Sequence, residues 1–345
     1  MASIGFDLRK EANLSTMTLD VLRTSEIEGE VLDPEQFRSS LARRLGMDIA
    51  GAAPVDRNVE GIVEMMLDAT QHFERPLSAE RLFGWHSALF PTGRSGMHKI
   101  LMGRWRDDST GPMQVVSGAM GRERVHYEAP AAALVKKEMT GFIKWVNTGS
   151  GPRPSTQKSL DPLIKAGLAH FWFVTLHPFE DGNGRIARAI ADLLLMRAGV
   201  APSGAEESDQ RFYSMSAQIR TEREQYYSVL ESSQRGDVDV SAWLHWFLNC
   251  LQRALEYSEH TLAAVLNKHR FWNSCARTVR NPRQINALNL LLDGFEEDLN
   301  SSKWAKLTKC SPDTALRDIH DLEKKMILTK GEGGGRSTHY VLAGA

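Results

Sequence analysis

The chain has 345 residues, 42% hydrophobic and 25% charged, with a formal net charge of −1. That length allows two or three domains and a sizeable core, and that charge excludes a global electrostatic basis for nucleic-acid or membrane binding. Cys250, Cys275 and Cys310 are far apart and lack metal-ligand spacing, so they read as thiols of a reduced compartment. No apolar run has transmembrane length, and residues 1–13 carry charges where a signal peptide has its apolar stretch. The expectation is a cytoplasmic protein without a membrane partner.

Helical periodicity dominates. Leu19 and Leu22 begin a short predicted helix running toward Gly29. Asp33 and Pro34 look like an N-cap and first helical residue, followed by Phe37, Leu41 and Leu45. Val59, Ile62, Val63 and Met66 make another helical face, as do Leu82, Trp85, His86 and Leu89. Residues 90–130 are glycine-rich, and β-type runs at 113–116 and 124–127 flank a glycine-containing turn, the pattern of a hairpin. Helices resume at Ala131 and again at Asp161 and Pro162, the latter with Leu163, Ile164, Leu168, Phe171, Trp172 and Thr175 along one stripe and its end near Leu176. A polar turn follows, then a helix marked by Ile186, Ile190, Leu193 and Leu194. Further helices fit residues 210–231 and 241–266.

Beyond Asn281 and Pro282 the style changes. Ile285, Leu288, Leu291 and Leu292 mark one helix and residues 302–307 a second. Ser311 and Pro312 cap a third, with Leu316, Ile319, Leu322 and Met326 on its face. Ile327 and Leu328, a glycine-rich tip at 331–335 and residues 339–342 then suggest two strands, the layout of a winged helix-turn-helix. The predicted domains are an N-terminal helical region at 1–58, a helical core at 59–270 and the winged module at 281–345.

The densest chemistry lies in residues 177–188, His-Pro-Phe-Glu-Asp-Gly-Asn-Gly-Arg-Ile-Ala-Arg, between two apolar helices. Gly182 and Gly184 allow close backbone approach. The following helix offers free N–H groups and its positive dipole end to an anion. Arg185 and Arg188, three apart, can both reach anionic oxygens. Asp181 is a hard ligand of the kind magnesium takes beside nucleotide phosphates. His177 can accept a proton from a hydroxyl near neutral pH. Asp181 and Asn183 could equally cap helix ends, but capping requires neither two arginines nor the histidine.

This stretch resembles the Fic signature, His-Pro-Phe-x-[Asp/Glu]-Gly-Asn-Gly-Arg-x-x-Arg, at every defined position. The resemblance covers roughly residues 59–251. It implies a mainly α fold, a Fic-type helical core with a β-hairpin flap, here followed by a winged helix-turn-helix. It also implies a nucleotidylyl transferase moving AMP from ATP to Ser, Thr or Tyr of a protein, itself included. On that resemblance His177 is the general base and Asp181 holds Mg²⁺ or Mn²⁺. Gly182, Asn183 and Gly184 cradle the phosphates, Arg185 meets the β-phosphate, Arg188 the γ-phosphate, and Phe179 anchors the turn. Val116 of the hairpin would close over the nucleotide, with the flap pairing a target strand; a plain surface hairpin is the alternative. Tyr226 and Tyr227 fall where the family often has adenine-facing residues, although aromatic pairs on helices are commonly core.

Residues 24–29, Thr-Ser-Glu-Ile-Glu-Gly, fit the family's inhibitory motif, [Ser/Thr]-x-x-x-Glu-[Gly/Asn]. The resemblance implies that Glu28 pairs with Arg188 and takes the γ-phosphate's counter-charge, or alternatively supports AMP removal by positioning a water. A solvated Glu28 beside a Gly29 C-cap is the structural alternative, and choosing Glu28 over Glu26 or Glu30 rests on motif register. In the C-terminal module nine Lys/Arg face nine Asp/Glu, and the third helix carries Asp313, Asp318, Asp321 and Glu323 against Arg317, Lys324 and Lys325. DNA affinity rests on phosphate contacts, so protein docking suits the module better than DNA. Dimerisation is compatible with the family. Competing readings are a Fic enzyme transferring phosphocholine or phosphate, and a nucleotide-sensing transcription regulator, against which His177 argues.

Overall fold

The computed structural model describes residues 6–46, 54–109, 111–118, 122, 124–148, 160–199, 212–236, 238–275, 278–279, 281–292, 299–331 and 339–343. The chain divides into two compact units, one of Lys10–Ser258 and one of Met1–Arg9 with Glu259–Ala345. The division falls at 258/259 rather than at 58 or 270. Residues of α1 (Phe6–Ile27) and α2 (Pro34–Arg44) share one apolar core with the helices that follow.

Helix α1 is longer than the predicted one. Leu14, Met17, Val21 and Ile27 are buried, but so are Asp20, Thr24 and Ser25, which break the apolar stripe in the sequence. Burial of Asp20 is compensated by hydrogen bonds from Ser214 Oγ (2.6 Å) and the Ser216 amide (3.1 Å). Asp33 caps α2 by accepting from the Glu35 amide, with Pro34 at the first position as predicted. Helices α3 (Arg57–Gln71) and α4 (Ala79–Leu89) bury the expected faces.

Strands β1 (Arg94–Ser95) and β2 (His98–Lys99) form a small antiparallel pair. The predicted hairpin is β3 (Gln114–Ser117) and β4 (Arg124–Glu128), antiparallel with an irregularity between Val115 and Val116. Residues 119–121 and 123 of its turn lie outside the described residues. Then come α5 (Ala132–Asn147), α6 (Pro162–Leu176) and α7 (Asn183–Gly199).

The stripe expected on α6 is the wrong face. Ala166, Gly167, Ala169, His170, Phe173 and Val174 are buried, while Leu163 is exposed and Phe171, Trp172 and Thr175 are half-buried. Small residues face the core because large ones come from α10 (Ser241–Cys275). A Cβ on Gly167 would lie 2.9 Å from Phe247, and Trp243 Nε1 donates to the Gly167 carbonyl at 2.8 Å. Helix α7 is buried nearly all round, which fixes its first turn. The single helix expected over 210–231 is two, α8 (Met215–Thr221) and α9 (Arg223–Arg235), broken at Glu222 where both carboxylate oxygens pair with Arg253 at 2.6 Å; Gln210 lies outside the described residues. Helix α10 runs past the expected end at Leu266 to Cys275.

The C-terminal unit has α11 (Pro282–Leu292), α12 (Ser301–Leu307), α13 (Pro312–Lys324) and the antiparallel pair β5 (Leu328–Lys330) and β6 (Tyr340–Leu342). The glycine tip beyond Gly331 lies outside the described residues. Leu316 and Met326 are exposed, against expectation; Ala315, Ile319 and Leu322 carry the buried face with Trp304 and Leu288. Asp318 is also buried, held by Arg283 (3.0 Å) and Asn281 (3.0 Å). Its charge is therefore withdrawn from the surface of α13, which is less acidic than the sequence count suggests.

Candidate active site

Helix α6 ends where His177 turns left-handed, with φ 48° and ψ 57°. A non-glycine residue in that region is strained unless its surroundings hold it, and Arg106 does so. This buried arginine donates from Nε to the His177 carbonyl at 2.8 Å and from Nη2 to the Pro130 carbonyl, and its amide donates to the Pro178 carbonyl at 2.9 Å. Phe179 is fully buried and stacks on His86 with ring centroids 4.2 Å apart. Asn183 closes the turn: its side chain accepts from the Phe179 amide (3.0 Å) and donates to the Phe179 carbonyl (2.8 Å). Its side chain thus staples the loop, whereas a phosphate contact was expected of it.

The His177 ring is oriented by its own helix. Nδ1 lies 3.2 Å from the Val174 carbonyl. A carbonyl only accepts, so Nδ1 carries the proton and Nε2 keeps its lone pair. Burial pushes the imidazole below its ordinary value, partly countered by that carbonyl, which leaves Nε2 unprotonated at neutral pH.

Gly182, at φ +78°, turns the chain into α7, with Phe90 2.9 Å from where its Cβ would stand. The first intrahelical bond of α7 runs from the Ile186 amide to the Gly182 carbonyl. The amides of Asn183, Gly184 and Arg185 precede it and form the open, positive end of the helix. Asp181 accepts from the Gly182 amide at 2.6 Å and from Ser95 Oγ on β1. Neither Ser95 nor Arg106 was singled out from the sequence. Both come from the irregular 90–130 segment, where no periodicity points to them.

Both arginines are almost fully buried, 3% exposed for Arg185 and 2% for Arg188. Arg188 donates from Nη2 to Glu28 Oε1 at 2.6 Å and to the Thr24 carbonyl at 3.0 Å, and from Nε to Thr24 Oγ1 at 2.8 Å. Burial works to lower its pKa, but the Glu28 carboxylate, helped by Tyr226 and Tyr227, raises it by more in sum and the net direction is upward. Arg185 pairs with Glu30 at 2.9 Å and lies over the Phe90 ring at 5.1 Å. Glu30 was considered only as a rival to Glu28; the structure gives each acid its own arginine. Arg185 Nε and Arg188 Nη1 are buried without a hydrogen-bond partner among the described residues. Glu28 Oε1 lies 2.3 Å from where a Gly184 Cβ would stand, directly over the helix end.

Glu28, Gly184, His177, Val116, Tyr226 and Tyr227 line one cleft of about 870 Å³. Val116 is half exposed at its mouth. Tyr226 is a core residue, 1% exposed, 3.0 Å from His170 Nε2 and packed on Trp243 and Trp246. Tyr227 is half-buried, with its ring under Arg223. Among the described residues no cluster of three or more His, Cys, Asp or Glu could hold a metal by itself, and no helix is long and apolar enough to cross a membrane.

Fold and site together define a helical domain in which a glycine-containing turn leads into the open end of α7 beside His177. Residues 76–195 match the Fic/DOC family model, and residues 1–47 match a domain of unknown function, DUF4172. The chain therefore carries a Fic/DOC domain over residues 76–195. It is similar to protein adenylyltransferase fic-1 of Caenorhabditis briggsae, 27% identical over 223 residues, which are 65% of this chain and 38% of that protein. It is also similar to protein adenylyltransferase Fic of Drosophila mojavensis, 31% identical over 118 residues, 34% of this chain and 19% of that protein. The chain thus spans well under half the length of these curated relatives. At the level of fold it resembles the crystal structure of a Fic domain containing signaling protein from Bacteroides thetaiotaomicron, with TM-score 0.53 and 20% identity over 76% of this chain and 92% of that one.

Proposed function

We propose that the chain is a protein adenylyltransferase, restrained by its own N-terminal helix. The observation that carries this is that His177, with its unprotonated Nε2, and Gly184 at the open end of α7 line one cleft with Glu28, the carboxylate that pairs with the buried Arg188. The buried, unpartnered guanidinium nitrogens support an anionic ligand there, because such groups are costly without one. The names of the similar curated proteins support transfer of an adenylyl group in particular.

In this reading the triphosphate of ATP lies over Gly182 and Gly184, with the amides of residues 183–185 and the guanidinium groups of Arg185 and Arg188 on the β- and γ-phosphates. His177 Nε2 takes the proton of a protein hydroxyl as its oxygen attacks the α-phosphorus, and pyrophosphate leaves. Arg106 keeps the imidazole in place, and in-line positioning with charge stabilisation does most of the work. Of the two carboxylates of the turn, Glu180 accepts from the Leu101 amide at 2.7 Å, while Asp181 accepts from the Gly182 amide on one oxygen and from Ser95 on the other. That donor set fits Mg²⁺ or Mn²⁺, which binds through one or two carboxylates plus substrate phosphates. Bound there, the ion would neutralise phosphate charge. The proposed partners are ATP and a hydroxyl-bearing protein.

Glu28 is the proposed brake. It takes the charge of Arg188 and stands against Gly184 where a Cβ would be, so phosphates bound at this helix end must displace it. The test is transfer from ATP labelled at the α- or the γ-phosphate to proteins of a cell extract. Glu28→Gly is expected to transfer the α-label strongly, the unaltered chain weakly and Glu28→Gly with His177→Ala not at all. Transfer of the γ-label instead contradicts the proposal.

A further inference from the structure

The C-terminal unit presents a surface charge that its sequence count conceals. Helices α12 and α13 are joined by residues 308–311 alone, and Trp304 of α12 packs in one core with Ala315, Ile319 and Leu322 of α13. In the turn the Cys310 amide donates to the Ala305 carbonyl at 3.0 Å, and Ser311 caps α13 by accepting from the Thr314 amide. Two packed helices with so short a turn, the second leaving one face outside, are the arrangement that lays its second helix in the major groove of DNA. The outer face of α13 carries Asp313, Arg317, His320 and Lys324, all exposed and spaced by four, three and four residues.

Nine Lys/Arg against nine Asp/Glu suited a protein partner better than DNA, but the two signs do not share this surface equally. Asp318 is buried on Arg283 and Asn281. Asp321 accepts from Lys325 Nζ at 2.6 Å and from Gln284 Nε2 at 2.9 Å, and Glu323 accepts from His320 Nδ1 at 2.9 Å. Asp313 is the one exposed acid of residues 299–331. Lys306, Lys309, Arg317, Lys324 and Lys330 are all exposed, and none of them forms an ion pair among the described residues. Lys309 stands at φ +50°, a left-handed position where glycine costs least, and it puts a cation in the turn itself. The module's other acids, Asp293, Glu296, Glu297, Asp298 and Glu332, lie outside the described residues.

We propose that this unit binds duplex DNA, with α13 in the major groove and Lys306, Lys309, Arg317, Lys324 and Lys330 on the phosphates that flank it. Such contacts gain affinity by releasing counterions from the duplex, which needs a local set of free cations and not a positive chain. Their distribution over α12, the turn, α13 and β5 suits two phosphate strands on either side of one helix better than a single acidic peptide. Asp313, in the first turn of α13, opposes the duplex. The inference is independent of the adenylyl-transfer reading, because these residues belong to the unit that does not hold the cleft.

The test is fluorescence anisotropy of the full chain with a labelled mixed-sequence DNA duplex of about 20 base pairs, titrated at about 50 to 200 mM salt. The expected result is saturable binding whose log K falls against log salt with a slope of about −4, from cations contributing about −0.9 each. Lys306→Gln, Arg317→Gln and Lys330→Gln each reduce that slope by about one. Lys309→Gly does the same while the melting temperature holds or rises, which separates lost binding from unfolding. Asp313→Asn tightens binding. Lys136→Gln combined with Lys137→Gln, which removes two exposed cations of α5, leaves it unchanged. Duplex RNA of the same sequence binds more weakly, because its deep, narrow major groove does not admit the helix. No binding at the lowest salt, or binding indifferent to these substitutions, overturns the inference. So does equal binding of duplex RNA, or tighter binding of polyglutamate than of DNA, the mark of an acidic protein partner.

Discussion

The Glu28→Gly substitution has a stability consequence that can be read separately from catalysis. In the folded chain Arg188 is 2% exposed, and its only carboxylate partner among the described ion pairs is Glu28, at 2.6 Å. Removing one member of a buried pair typically costs 3–5 kcal/mol, because the remaining charge stays buried. Thr24 keeps two hydrogen bonds to Arg188, from Nε and Nη2, which puts the expected loss at the low end, about 3 kcal/mol. A cooperative unit of roughly 150–250 residues moves about 2–4 °C per kcal/mol, so the larger unit should melt about 6–12 °C lower. A triphosphate at the end of α7 supplies the missing negative charge, and in the variant it has no Glu28 to displace. Calorimetry with and without a non-hydrolysable ATP analogue and Mg²⁺ measures both effects. The variant should start lower and gain more from the nucleotide than the unaltered chain. An unchanged melting temperature without nucleotide, or equal gains in both proteins, would refute the reasoning.

Three further outcomes follow from the same contacts. Glu30→Gln removes the charge facing Arg185; Glu30 is 43% exposed, so the effect is that of a surface pair, about 0.2–1 kcal/mol, seen as an up to about fivefold gain in nucleotide affinity by titration calorimetry. Arg106→Lys keeps the amide bond to the Pro178 carbonyl but cannot donate from one side chain to the His177 and Pro130 carbonyls with the same geometry; the strained His177 shifts, and transfer should fall about a hundredfold in kcat with nucleotide affinity nearly unchanged. Burial lowers the pKa of His86 to about 4 and of His170 to about 3, against 6.5 in the unfolded chain. The unfolded state then binds more protons below pH 6.5, so stability is flat above that value and falls as the pH drops toward 3–4. By pH 5 each histidine should have removed about 2 kcal/mol, measurable as a drop in urea midpoint between pH 7 and pH 5.

The signature turn was legible because its residue types follow the chemistry of an anion site, and because proline and glycine mark its two helix boundaries. The hairpin was legible from its two β-type runs, and the caps at Asp33, Asp161 and Ser311 from their Asp-Pro and Ser-Pro pairs. The face of α6 was not, because the core there is built from small residues under Trp243 and Phe247, and apolar periodicity weighs size the wrong way. The full length of α1 was hidden by the buried Asp20, Thr24 and Ser25, whose partners are more than 150 residues away in sequence for Asp20 and Thr24. Arg106 and Ser95 were invisible for the same reason: each acquires its meaning from a contact between distant segments.

The most direct test of the central claim is the fate of the α-phosphate. The full chain with Glu28→Gly is incubated with extract proteins, Mg²⁺ and ATP labelled at the α- or the γ-position. The account predicts protein-bound label from the α-position alone, lost on His177→Ala and much weaker when Glu28 is restored. Label from the γ-position, or α-label indifferent to both Glu28 and His177, would contradict it.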